Sequence, residues 1–75
     1  MSLRGYSYLL VKANKAADPK SIGVKLGRYC IANDIEVARV AAVLGVSRMT
    51  VYQWFTGKAI PHKDKVDRIQ ELLSK

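Results

Sequence analysis

The stretch Val37-Ala-Arg-Val-Ala-Ala-Val-Leu-Gly-Val-Ser-Arg-Met-Thr-Val-Tyr-Gln-Trp-Phe-Thr-Gly57 decides the fold. Its first part sets Val37, Val40, Ala41 and Leu44 along one side of a helix of 3.6 residues per turn. Gly45 comes just past the last apolar position. A residue free to take the left-handed conformation turns the chain there without a Cβ clash, and Val46 tucks back beneath the turn. Ser47 then suits an N-cap, because its hydroxyl accepts from a backbone N–H one turn into the next helix. On that next helix Val51, Trp54 and Phe55 make the apolar side. At 100° per residue the other side carries Met49, Gln53 and Thr56, with Tyr52 on one flank and Arg48 near the first turn. The order is helix, tight turn, helix, with one face left for a partner.

This pattern resembles the DNA-binding domain of the Cro and lambda-repressor-like (XRE) family of helix-turn-helix proteins. The residues that carry the resemblance are the small Ala41, the corner Gly45, the β-branched Val51 and the large apolar Trp54. The run Trp54-Phe-Thr-Gly-Lys-Ala-Ile-Pro61 matches the family's next signature, an aromatic or Leu followed by Gly, a basic residue and Pro. The similarity covers residues 19–75. It departs at Val37, where many members have a Gln that touches a phosphate and braces the first reading residue.

The resemblance implies a small all-α, lambda-repressor-like domain of four to five helices with a central helix-turn-helix. The second motif helix, 47–56, would lie in the major groove of double-stranded DNA while the first crosses the backbone. By matching position, Ser47, Arg48, Met49 and Gln53 fall on base contacts, and Tyr52 projects from the same helix as a further candidate. Their chemistry is suited to base edges, since Arg48 can give two hydrogen bonds to guanine, Gln53 can pair with adenine, and Met49 can pack on a thymine methyl. Thr56, Lys58 and Lys63 fall where the family touches phosphates, and Arg39 is a further phosphate candidate on the exposed side of the first motif helix. So small a module meets few base pairs, so a homodimer on a pseudo-palindrome is expected.

Composition points the same way. Thirteen Lys and Arg stand against six Asp and Glu in 75 residues, a formal charge of +7 that suits a polyanionic partner. The alternatives on charge alone are an acidic protein, a membrane surface or a basic surface kept for solubility. A chain this short has room for one helical core, burying about 60% of its unfolded surface. Cys30 is the single cysteine, so neither an internal disulfide nor a cysteine-based zinc site can form, and a reducing cytoplasm is expected, which the resemblance implies is that of a bacterial or phage-infected cell. Leu9-Leu-Val11 is too short for a signal core, and no apolar run reaches a membrane-spanning length.

Two domains of unequal standing are expected, an N-terminal extension at 1–17 and the helix-turn-helix domain at 18–75. In the extension, Tyr6, Leu9, Leu10, Ala13 and Ala17 fit a short helix packed on the core. A flexible basic arm and a dimerising strand remain the alternatives. Asp18-Pro-Lys-Ser reads as a helix start, giving a helix from Pro19 to Asn33 with Ile22, Val24, Leu26, Tyr29 and Cys30 apolar and Ala32-Asn-Asp34 as the stop. Gly23 and Gly27 suit a close helix contact by their spacing, although tolerated glycines in a packed helix is the reading preferred on sequence. A closing helix over Lys63–Leu73 is expected to bury Val66, Ile69, Leu72 and Leu73, after a possible short helical turn between Ala59 and Lys63.

No catalytic constellation emerges. Trp54 reads as core and Cys30 as buried, and His62 has no partner at metal-ligand spacing, so it reads as a helix cap or a neighbour of phosphate. A non-enzyme without cofactor or small-molecule ligand is expected, acting as a sequence-specific transcriptional regulator of Cro or small phage-repressor type. The competing readings are a helix-turn-helix module that binds a polymerase subunit or a toxin, and an architectural or excision factor that bends DNA.

Overall fold

The computed structural model describes residues 7–74, which form five α-helices and, within that span, no strand. They are α1 (Tyr8–Ala16), α2 (Ile22–Ala32), α3 (Val37–Leu44), α4 (Arg48–Phe55) and α5 (Lys63–Leu73). α4 packs across α2 and beside α3, α5 closes the other side of α2, and α1 lies on α2. The core therefore sits between α2, α3 and α4, with Leu26, Val40, Val51 and Phe55 at its centre and Ile69 sealing it from α5.

The two-helix motif follows its local signals. Gly45 takes the left-handed conformation (φ 68°, ψ 36°) and both its N–H and that of Val46 donate to the Ala41 carbonyl, ending α3. Ser47 Oγ accepts from Thr50 N–H at 3.2 Å and lies 3.0 Å from Thr50 Oγ1, starting α4. The apolar stripes of both helices face inward as expected, with Val37, Val40, Ala41, Leu44, Val51, Trp54 and Phe55 all buried.

α2 begins three residues later than the sequence suggests. Asp18 does not cap it; its Oδ1 accepts from Lys20 N–H at 2.9 Å, and its carbonyl accepts from Ser21 N–H. That self-contained turn leaves Ser21 at the N-cap, with no side-chain capping bond. The stop is as expected, with Asn33 Nδ2 donating to Tyr29 O at 2.8 Å and Asp34 left-handed at φ 61°. The preferred reading of the helix's glycines is overturned. A Cβ on Gly23 would lie 2.8 Å from the Trp54 carbonyl, and one on Gly27 would lie 2.6 Å from Asn14 Nδ2 and 2.8 Å from Phe55 Cγ. Here α4 rests against α2 at a distance only hydrogen side chains permit.

In the extension, residues 8–16 form the expected helix, α1, rather than an arm or a strand. Tyr6 lies outside the described residues. The buried stripe is shifted from the one expected: Leu9 is 74% exposed and Ala13 is exposed, while Leu10 and Val11 pack on the core and Asn14 is 1% exposed. A polar residue thus occupies the most buried position of the helix. In α5, Ile69 is buried, Val66 is half-buried, and Leu72 and Leu73 pack against the core as expected. The optional turn between Ala59 and Lys63 does not form; Pro61 is buried in an irregular link.

Candidate nucleic-acid interface

The burial of Val51, Trp54 and Phe55 fixes the rotation of α4, and with it the face α4 shows to solvent. Arg48, Met49, Tyr52 and Gln53 are all exposed, Met49 at 66%. An exposed thioether and phenol beside a guanidinium and an amide leave apolar surface uncovered next to hydrogen-bonding groups. Ser47 sits at the head of this face, its hydroxyl engaged in the cap. At the foot, Thr56 is half-buried and its Oγ1 donates to Tyr52 O at 2.9 Å.

The chain after α4 folds back on that helix. Gly57 turns left-handed (φ 77°), and both Lys58 N–H and Ala59 N–H donate to the Gln53 carbonyl at 2.9 and 3.2 Å. Lys58 is thereby anchored one turn from Gln53, and Lys63, the first residue of α5, is exposed beyond the loop. His62 holds the N-cap position of α5 but makes no side-chain capping bond.

On the α3 side, Glu36, Val37 and Ala38 share a shallow cleft with Arg48 and Tyr52. Val37 is buried and packs in the core. Arg39 is exposed and borders a hollow with Asn33, Asp34, Ile35 and Glu36, the last of which also lines the Arg48 cleft. The structure thus brings Ser47, Arg48, Met49, Tyr52, Gln53, Thr56 and Lys58 onto one helix and its tail, with Arg39 on the exposed side of α3.

The surplus charge is not where the motif is. Between residues 7 and 33, Lys12, Lys15, Lys20, Lys25 and Arg28 face Asp18 alone, whereas residues 34–74 hold six basic side chains against five acidic ones. Asp64, Asp67 and Glu71 on α5 offset much of the positive charge there.

Sequence reasoning passed over two contributors. Asn14 Nδ2 donates to the Phe55 carbonyl at 2.7 Å and to the Val24 carbonyl at 3.2 Å. Arg28 Nη2 donates to Lys15 O at 3.1 Å, holding the end of α1 on α2. The available signal was a lone amide four residues after Leu10 and three after Val11, on the stripe that had to be apolar. Cys30 is buried in the core, and burial pushes its thiol up from 9.0 to about 11, which keeps it protonated near neutral pH.

With this geometry in hand, the comparison with known families is direct: residues 26–75 match the helix-turn-helix family. The chain belongs to that family, in its XRE or lambda-repressor-like form, and its two-helix motif is a DNA-binding helix-turn-helix. No curated protein and no solved structure matches the chain. Among the described residues, no helix is long and apolar enough to cross a membrane.

Proposed function

We propose that the chain is a sequence-specific transcriptional regulator that inserts α4 into the major groove of double-stranded DNA and acts from the cytoplasm as a homodimer on a two-fold site. The observation that carries this reading is the solvent face of α4, where Arg48, Met49, Tyr52 and Gln53 are exposed together while Val51, Trp54 and Phe55 are buried. Those four side chains, with Ser47 at the helix start, read base edges: Arg48 guanine, Gln53 adenine, Met49 and the Tyr52 ring the thymine methyl. Thr56, Lys58 and Lys63 hold phosphates along one strand, and Arg39 holds a phosphate from the outer side of α3. Residues 18–75 form the reading domain in this scheme. Two copies supply the contact area that one small module lacks.

The test begins with selection of bound duplexes from a random pool, followed by titration of a preferred and a scrambled duplex at matched salt. Arg48→Ala and Gln53→Ala should each cost about 1 to 3 kcal/mol on the preferred duplex and little on the scrambled one. Lys58→Ala should weaken both alike and reduce the salt slope by about one unit. Equal losses on both duplexes for Arg48→Ala and Gln53→Ala would reject base reading and move the assignment to an architectural or protein-binding role.

A further inference from the structure

α-Helices end with four carbonyls that no residue of the helix can satisfy. In α4 these belong to Tyr52, Gln53, Trp54 and Phe55, at the end of the reading face. Three are met locally: Tyr52 O by Thr56 N–H, Gln53 O by the N–H groups of Lys58 and Ala59, and Trp54 O by Gly57 N–H. The Phe55 carbonyl accepts from Asn14 Nδ2 at 2.7 Å, across 41 positions of sequence. The same amide nitrogen donates to Val24 O at 3.2 Å, so one side chain joins α1, α2 and α4. Gly27 leaves the space for it, since a Cβ there would lie 2.6 Å from that nitrogen. Gly57, left-handed at φ 77°, lies in ordinary contact range of Ala17 and Val24, so the loop after α4 runs alongside the α1–α2 link.

We infer that Asn14 is a positioning residue for DNA recognition: α1, which lies outside the matched family region, fixes the C-terminal end of the recognition helix and the Lys58 loop that follows it. The inference rests on the assignment of α4 as the reading helix. Both hydrogens of the Asn14 amide can be used by these two carbonyls, and the residue is 1% exposed, so removing the side chain takes away a buried donor from both at once. Loss of the clamp leaves the last turn of α4, which carries Gln53 and leads into Lys58, held only by its own local bonds and no longer tied to α1. Phosphate attraction needs only charge near DNA and tolerates that freedom, whereas paired hydrogen bonds to a base edge do not. The consequence is selective: Asn14 affects preference between sequences more than affinity for DNA as such.

The experiment uses the full chain with Asn14→Ala and the milder Asn14→Ser, assayed well below each variant's unfolding temperature. Affinity for the preferred duplex should fall by about tenfold, with less than about twofold change on the scrambled duplex. Without DNA, backbone amides of Thr56, Gly57 and Lys58 should exchange with deuterium about tenfold faster in Asn14→Ser, while those of α3 and α5 keep their rates. A uniform rise in exchange across all helices, or equal losses on both duplexes, would overturn the inference and reduce Asn14 to a general stabiliser. If the wild-type chain itself shows no preference among duplexes, the reading of α4 fails separately, and the local exchange pattern still decides whether the clamp exists. Should neither variant fold, the wild-type Asn14 side-chain amide hydrogens supply the readout. They should be protected as strongly as core backbone amides; exchange at the rate of a solvated Asn would refute the clamp.

Discussion

The α3–α4 motif and the α1–α2 half of the molecule reach order by different means. α3 and α4 are specified by signals that act within a few residues: a left-handed glycine, a serine cap and an apolar stripe of period 3.6. α1 and α2 meet α4 through two glycines, Gly23 against the Trp54 backbone and Gly27 against the Asn14 and Phe55 side chains, and through one buried amide, while Arg28 ties α2 to the end of α1. The halves differ in charge as well, with the excess of Lys and Arg on the first and near balance on the second. α4 is thus set by local patterning, while five of the basic side chains, Lys12, Lys15, Lys20, Lys25 and Arg28, fall on α1, α2 and the link between them.

The largest effect that would sharpen the contrast is at the shared centre. Trp54 is buried and its backbone rests on Gly23, so Trp54→Ala should cost about 3 to 5 kcal/mol and unfold much of the domain, as read by circular dichroism during thermal melting. An intact, equally stable W54A protein that failed only in DNA binding would make Trp54 a contact residue instead.

Next come the glycines of α2. In an open helix Gly→Ala gains about 1 kcal/mol. Here Gly27→Ala should lose about 1 to 3 kcal/mol in urea unfolding, because its methyl would press on Asn14 and Phe55. Stabilisation would show that the close approach of α2 and α4 is looser than described. Cys30, also on α2, adds a dependence on pH. Its folded thiol titrates near 11 against an ordinary 9.0, so the unfolded chain loses its proton first. Folding stability from this group is complete below about pH 9 and declines as pH rises towards 11; urea midpoints across that range should fall less for Cys30→Ala than for the wild type.

Smaller still is the cap of α4. Ser47→Ala should cost about 1 kcal/mol of stability in the same unfolding assay, and Ser47→Gly only a few tenths. Smallest is Lys12→Ala on exposed α1, which should shift stability by less than about 0.5 kcal/mol. A larger change at Lys12 would mean that the charged half contributes to folding and would break the separation drawn above.

What could be read from sequence follows the same division. The motif was legible because caps, corner and stripe are neighbours in the chain, so Val37–Leu44 and Arg48–Phe55 emerge with the apolar and solvent faces of α4 assigned. The start of α2 was displaced because Asp18 closes a turn of its own, an outcome as compatible with its residue type as capping a helix. The role of Asn14 was hidden because its acceptor lies 41 positions away, and periodicity compares only residues a turn or two apart.

The long span between Asn14 and its acceptor also sets an order of events during synthesis. Residue 14 is added to the chain 41 residues before Phe55. At about 5 to 20 residues per second, that interval is roughly 2 to 8 s. Throughout it the first helix has no fourth helix to hold, so the bond from Asn14 to the Phe55 carbonyl cannot close before α4 has been made.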